Sequence, residues 1–572
     1  MQPTVILKSS TNAVDSWLQT DYFLEFANGF SNHSGIQCIS FSGCGVIASH
    51  FSTSVSDVPI FRSKEELWNA IAESTGSFTA TFVNFDTRET YMVNDPLGGG
   101  PIFRYKKGDF CAIGSDLEGL LLAIEKHGFT TSVDPLFEFA NLATGTPSYA
   151  ADTPYKGVDL IDLGLGVIVG ADGQLQFLEY FDRKALVAPN DQPSEDLVNH
   201  GITAIRNNMQ AVANSKVTLK LADITGGFDS RLVLAAILDS SLQSDIVLTS
   251  IRTNPEWDFA ERLSVYSGLP LTNHRIRTKS LVSFADVKEQ AFAPVRRSMG
   301  IISNQVGHYS IPQDTMALQG GYGGTFRTVS NSYMPRQEDV APDNFYPEIW
   351  AWTELLRAKV AGTHLFSTAG IDALVQRSSR YNELATRLGV PPEHFSSFLY
   401  LFGRNRYWFG MQSFYTSMTH KRFNPLYNLP LINAAFNLSF AERRSNLIGL
   451  RAMSKLNPEL LSLPFYGKPR VTKLYEERYG KVPQRKFPEG PYKHLAISPV
   501  AVKGKKRRIQ EFILDPPATT SELAYEAICA SELAAFFNRD ALAQALLHPS
   551  SETDRAWKTK LITTAFRAGL LN

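Results

Sequence analysis

The chain has 572 residues, 44% of them hydrophobic and 20% charged, with Lys+Arg and Asp+Glu equal at 56 each. That length and apolar content support two to four domains with cores of their own, needing no disulfide or metal staples. The charge balance removes the global field that would draw the whole chain to nucleic acid or anionic lipid.

The opening MQPTVILKSSTNAVDSWLQT lacks the basic start and unbroken apolar core of a signal peptide. No apolar run approaches the roughly 20 residues that span a bilayer, so a cytoplasmic protein without membrane contact is expected. Cys38, Cys44, Cys111 and Cys529 form no CxxC pair, which suits a reducing compartment. From about Gln37 to Asp182 the runs GSFTATFVNF, ETYMVND, DFCAIGSD and LGVIVGADGQLQFLEYF are short and separated by turn residues. They predict antiparallel strands, with helices near DLEGLLLAIEKHG and DPLFEFANLAT, a compact α+β unit. KALVAPNDQPSED, Lys184 to Asp196, is rich in Pro, Asp and Asn and ends near Ser194, a suitable helix cap. The boundary is placed there, giving domains 1–185 and 194–572.

Beyond it, SEDLVNHGITAIRNNMQAVANS carries apolar residues at helical spacing. Strand-like and helix-like runs then alternate through KVTLKLADI, SRLVLAAILDS, DIVLTSI and WDFAERLSVYSG, as in βαβ units on a parallel sheet. From about Asn344 onward the pattern is mostly helical. The stretch LKLADITGGFDSRLVLAAIL sets a buried strand, Val217 to Ile224, against a helix over Arg231 to Leu238. Gly226 and Gly227 between them let backbone N–H groups approach an anion at the positive end of that helix. The turn fits none of GxxxxGK[ST], GxGxxG or GxSxG. Thr225, Ser230 and the glycine N–H groups suit a pyrophosphate, and Asp229 suits a Mg2+ that neutralises it. Equally, a GG-x-D turn can be a tight connection with a capping carboxylate.

TGGFDS resembles the SGGxDS pyrophosphate loop of the asparagine synthetase family, whose members adenylate a carboxylate with ATP and let an amine displace AMP. DIVLTSI resembles the next strand of that PP-loop domain, which implies backbone contacts from Ser250 and Ile251 to adenine. WDFAERLSVYSGLPL resembles the helix after it, with Asp258 at its start. In the first unit, Asp95, Pro96, Leu97, Gly98, Pro101, Ile102 and Phe103, followed by Gly114, Ser115 and Asp116, resemble the turn and "ASE"-like segment of the family's glutaminase domain. LIDLGLGVIVGADGQLQFLEYFD resembles that domain's closing strands. The resemblance therefore implies an Ntn-hydrolase-like α+β fold followed by an α/β parallel-sheet synthetase domain with a helical C-terminal part.

The nucleophile of glutamine-using members is a cysteine at the mature N-terminus, whereas this sequence opens Met1-Gln2-Pro3 and has no cysteine before Cys38. No glutaminase activity is expected, which places the first domain as a scaffold, as in the β-lactam synthetase and lasso-peptide cyclase branches. MALQGGYGGTFRTVSNSYM, Met316 to Met334, resembles the loop opposite the pyrophosphate site, with Gly321 among its nucleotide contacts; Gly324 and Thr325 stand where the family has an acidic pair. Tyr322 matches a tyrosine that helps deprotonate the attacking amine, with Glu348 or Glu354 as partner. Packing of Tyr322 on the adenine or on a neighbouring helix is an equal reading. HKRFNPLYNLPLINAAFNLSF aligns Arg422, Pro425 and Leu431 with a further family segment. LNPELLSLPFYGKPRVTK resembles the end of the family's synthetase domain, which implies Lys468 as the lysine that neutralises the phosphates as AMP leaves, with Arg470 and Lys473 as competitors and a solvated basic surface as the other reading of all three. KGKKRR, Lys503 to Arg508, reads first as a solvated face, and no histidine spacing suggests zinc.

The expectation is an ATP- and Mg2+-dependent carbon-nitrogen ligase. Its substrate would be a small molecule or peptide bearing a carboxylate and an amine, joined within one molecule, as in a β-lactam or macrolactam, or between two. No nucleic acid is expected, and a homodimer is left open. An ammonia-dependent amidotransferase and a catalytically inactive nucleotide-binding scaffold are the alternatives.

Overall fold

Side chains that alternate along short strands build the first part of the molecule. The computed structural model describes residues 4–8, 17–18, 34–144, 153–192, 194–252, 255–273, 298–299, 314–328, 364–417, 420–467, 471–495 and 518–570. The strands there are β1 (Thr4–Lys8), β2 (Trp17–Leu18), β3 (Ile36–Ile47), β4 (His50–Ser52), β5 (Thr75–Asn84), β6 (Thr90–Asn94), β7 (Phe103–Lys107), β8 (Phe110–Gly114), β9 (Val158–Leu160), β10 (Leu165–Val169) and β11 (Leu175–Glu179). They form two antiparallel sheets, ordered β2-β1-β8-β7-β9 and β11-β10-β6-β5-β3-β4. In β8, Cys111 and Ile113 meet Met92 of β6 and Val167 and Val169 of β10 between the sheets. Phe110 and Ala112 turn the other way, onto Leu120 and Ile124 of the helix Leu117–Lys126. In β6, Tyr91 and Val93 turn outward onto Leu67 and Ile71 of the helix Lys64–Ala72. A side-chain period of two thus stacks helix, sheet, sheet and helix.

The later strands β12 (Leu219–Asp223), β13 (Ile246–Thr249), β14 (Leu271–Thr272), β15 (Thr315–Leu318) and β16 (Lys421–Phe423) form a parallel sheet ordered β14-β13-β12-β15-β16. The expected mixture of antiparallel α+β and parallel α/β structure is present. Helices Ser194–Ala213, Phe228–Leu238, Leu429–Phe436 and Leu447–Leu456 share one large core with this sheet, through residues such as Ile205, Leu232, Leu431 and Met453. The chain leaves β12 toward β13 and β14 on one side, then lays β15 and β16 on the other. That reversal sets the carboxyl ends of β12 and β15 side by side, the place where ligands of open α/β sheets bind.

Two further features tie the first part of the chain to segments far along it. The helix Pro135–Thr144 packs Leu136, Phe139 and Leu142 against Leu374, Ile528, Leu546 and Leu561, from helices far along the chain. The segment Tyr400–Met411 winds as a π-helix, and its Tyr407 and Met411 enter the core beneath β7 and β8. No described helix is long and apolar enough to cross a membrane.

Candidate functional site

The turn after β12 is shorter than its sequence suggests. The helix begins at Phe228 with Gly227 as its cap residue, so Asp229 and Ser230 belong to the first turn and only Ile224-Thr225-Gly226-Gly227 bridges strand and helix. The Ser230 and Asp229 side chains turn back on the connection and across to the next loop: Ser230 bonds Thr225, and Asp229 accepts from Arg327. Ser230 Oγ accepts from the Thr225 N–H at 3.1 Å and lies 3.1 Å from Thr225 Oγ1, which in turn accepts from the Gly227 N–H at 3.1 Å. Thr225 and Ser230 are thus tied to one another and shape the turn. A Cβ on Gly226 would stand 2.5 Å from the Cβ of Tyr466, whose N–H bonds the Gly226 carbonyl. On Gly227 it would meet only Thr225 Oγ1, at 3.2 Å. Gly226 serves packing, and Gly227 faces space.

At the neighbouring strand end, the Ser250 N–H donates to the Thr272 carbonyl at 3.2 Å. Its hydroxyl is buried, with no hydrogen-bond partner among the described residues. The Ile251 side chain is 48% exposed and that of Tyr466 39%, two apolar groups open at this end of the sheet. Asp258 lies exposed in the first turn of the helix Trp257–Ser267.

The loop after β15 lies against Asp229 from the other side. Cβ atoms on Gly320 and Gly323 would lie 2.9 Å from the Asp229 Cβ and 2.6 Å from Asp229 Oδ1, so only glycines let this loop lie along Asp229. Gly321 donates its N–H to Asn424 Oδ1 at 3.3 Å. Tyr322 is fully buried. Its ring centroid is 6.1 Å from that of Phe409 and 5.0 Å from that of Tyr427. Its hydroxyl has no hydrogen-bond partner among the described residues, and burial, then the charge of Asp95, raises it well above an ordinary tyrosine. The structure therefore places Tyr322 in the packing between loop and neighbouring helix. Of the other expected residues, Glu348, Glu354, Lys468, Arg470 and the run 503–508 lie outside the described residues. Lys473 is exposed and pairs with Glu477 at 3.4 Å.

Arginines dominate what the sequence reading passed over. Arg327 Nη2 donates to Asp229 Oδ2 at 2.9 Å. Gln319 donates to Asp223 Oδ2 at 2.6 Å and accepts from Arg422 Nε at 2.8 Å. Burial raises the Asp223 carboxyl, while Arg422 and Gln319 pull it back. Arg231 is fully buried, its guanidinium 3.8 Å from the Phe465 ring centroid. It donates to the carbonyls of Leu460, Leu463 and Pro464 at 3.3, 2.9 and 2.6 Å. Burial pushes its pKa down to about 9. Arg443, also fully buried, donates to the Thr325 carbonyl at 2.8 Å.

A divalent cation on Asp229 does not fit this arrangement. Arg327 already donates to the carboxylate, and Gly324 and Thr325 supply no second one. The Thr325 hydroxyl is spent on the Tyr322 carbonyl at 2.6 Å. Among the described residues, no group of three or more His, Cys, Asp or Glu side chains is placed to hold a metal ion.

The turn Asp95–Gly100 of the antiparallel part packs against the same region from behind. Asp95 is fully buried and accepts from the N–H groups of Gly99 at 3.0 Å and Gly100 at 2.7 Å, and from the Tyr427 hydroxyl at 2.9 Å. Burial outweighs these bonds and lifts its pKa to about 6. Arg406 of the π-helix donates to the carbonyls of Gly98 at 3.2 Å and Ile161 at 2.6 Å. Cys38, Cys44 and Cys111 are buried, and burial pushes Cys38 up to about 12 and Cys44 up to about 11.

No family model and no curated protein matches the chain. Among solved structures it is similar to the glutamine phosphoribosylpyrophosphate amidotransferase from B. subtilis complexed with ADP and GMP, at 12% identity over 57% of this chain and 71% of that one, with a TM-score of 0.17. It is also similar to the allosteric regulatory enzyme of purine biosynthesis, at 10% identity over 56% of this chain and 68% of that one, with a TM-score of 0.16. At such scores neither carries fold or activity to this chain, and neither adds to the resemblance read from TGGFDS.

Proposed function

We propose that the chain is an ATP-dependent amide-bond-forming enzyme built on an asparagine-synthetase-like plan. The observation that carries this reading is the position of the Thr225–Gly227 turn: it follows the strand at which the parallel sheet reverses its order, and a second glycine-rich loop faces it after β15. The polyphosphate would lie at Gly227 and the N-terminus of the helix Phe228–Leu238, with the base over Ile251. A substrate carboxylate would attack the α-phosphorus, forming the acyl-adenylate as pyrophosphate leaves. An amine would then attack the acyl carbon and release AMP. Holding both groups at one end of the sheet supplies proximity. Lys468, two positions after Tyr466 in the sequence, would neutralise charge on the leaving phosphate. The amine comes from the substrate: three of the four thiols are buried, and Cys38 and Cys44 are held protonated, the opposite of an activated nucleophile. A nucleotide-binding scaffold without turnover is the second reading, favoured by the occupation of Asp229 by Arg327.

Calorimetric titration of a non-hydrolysable ATP analogue into the wild type and Gly227→Asp tests the seat. Aspartate is a good helix cap, so the variant keeps its fold while setting a negative charge where the phosphates belong. Loss of binding in the variant supports the reading. Binding unaffected by the change, or none by the wild type, refutes it. AMP release with amine and acid mixtures then separates the enzyme from the scaffold.

A further inference from the structure

The loop that carries Arg327 is held firmly. Arg443 grips the Thr325 carbonyl, and Gly320 and Gly323 press the loop onto Asp229. Arg327 itself is only partly covered, its side chain 29% exposed, with its guanidinium 5.8 Å from the Phe228 ring centroid. Tyr400 stands on the far side, its hydroxyl 2.8 Å from where a Cβ on Gly324 would be. Burial raises that hydroxyl's pKa, Asp229 raises it further, and Arg404 and Arg327 lower it, so one carboxylate and two guanidiniums share its surroundings. The Arg404 guanidinium lies 5.2 Å from the Tyr400 ring centroid, so two guanidiniums stand about Tyr400 beside the Asp229 carboxylate.

A polyphosphate at Gly227 brings further negative charge beside Asp229, and something must offset both. We infer that Arg327 stands in the place of a divalent cation at Asp229, and that the phosphates bind through the guanidiniums of Arg327 and Arg404 without Mg2+. This rests on the nucleotide reading above and goes beyond it, because it names the group that meets the phosphates. A guanidinium offers paired N–H donors that match two phosphate oxygens, so Arg327 can keep one donor on Asp229 and turn others to the ligand. Arg327 donates to Oδ2, so a Mg2+ ion would have to share this carboxylate with the guanidinium and find its remaining ligands in phosphate and water.

Two measurements on the full chain test the inference. Mn2+ alone, followed by water proton relaxation, is titrated into wild type and Asp229→Ala. Identical titrations are expected, and a wild-type site that vanishes in the variant overturns the inference whatever the nucleotide does. The ATP analogue is then titrated in EDTA and in Mg2+. The wild type is expected to bind equally well in both. Arg327→Ala is expected to weaken binding in EDTA by about ten-fold or more, the loss of one charge-assisted contact, with Arg327→Lys intermediate. Wild-type binding that requires Mg2+, or an Arg327→Ala variant that binds normally in EDTA, overturns the inference and leaves the nucleotide reading standing. No binding by the wild type in either buffer overturns both.

Discussion

The turns Asp95–Gly100 and Thr225–Gly227 are both glycine-rich and both follow a strand, yet they do opposite things. In the first, every glycine is consumed by packing. A Cβ would fall 1.9 Å from the Phe78 carbonyl oxygen at Gly100, 2.9 Å from the Gly410 Cα at Gly99 and 2.9 Å from Arg406 Nε at Gly98. Asp95 collects donors from within the turn and from Tyr427. In the second, Gly226 is packed but Gly227 is open, and the buried Ser250 hydroxyl of the adjoining strand finds no partner among the described residues. Glycine content therefore does not mark a binding loop. What marks the second turn is a cap glycine at a helix start where an added Cβ would meet only one side-chain oxygen, at the end of a central parallel strand.

The largest effect that would break this contrast is at Gly100. Gly100→Ala is expected to cost about 3 kcal/mol or more, because its contact is rigid backbone, whereas Gly227→Ala, at φ −76°, costs about 0.5 kcal/mol; chemical denaturation of the two variants measures the difference. Equal losses would erase it. Next comes Arg231→Met, which leaves three carbonyls of Leu460, Leu463 and Pro464 without their donor. About 2 to 3 kcal/mol of stability should be lost, again by denaturation, together with protection of the Tyr466 amide against hydrogen exchange.

Asp95 sharpens the same contrast through pH. Its folded pKa, about 6, lies above the ordinary value of 3.8, so the fold favours the protonated form. That contribution is complete below about 3.8 and is lost as pH rises through about 6. Between pH 7 and pH 5 the wild type should gain about 1 kcal/mol relative to Asp95→Asn. At pH 7 the asparagine variant should be about 2 kcal/mol less stable, since its amide turns an NH2 toward backbone donors. A flat difference across that range would remove Asp95 as a titrating group. The smallest effect is expected at Tyr322→Phe: removing a buried hydroxyl without a recorded partner should change stability by less than about 0.5 kcal/mol and leave analogue binding intact. If AMP release is lost while binding survives, Tyr322 acts in the chemistry and its packing serves that end.

Much of this was legible in local pattern. The period of two in FCAIG and TYMVN set which side chains enter the space between the antiparallel sheets. The apolar run before TGGFDS and the apolar helix after it located the strand, the turn and the helix to within three residues at either end. The arginines were not legible. Arg231, Arg327, Arg406 and Arg443 meet acceptors that lie about a hundred or more positions away in the chain. No local spacing signals such a partner, and a lone arginine in sequence reads as surface.

The sequence by itself determined the local elements and the one turn that places two glycines between a buried strand and a helix, because those follow from side-chain period and from the backbone freedom of glycine. Only the tertiary structure decided which strands are neighbours, and hence that the turns after β12 and β15 meet at one end of the sheet. It also decided that Tyr322 is buried against Phe409 and Tyr427 and that Asp229 faces Arg327. The physical reason is the same in each case: strand order and charge pairing are contacts between segments distant in the chain, chosen by the shared burial of surfaces that no single segment contains.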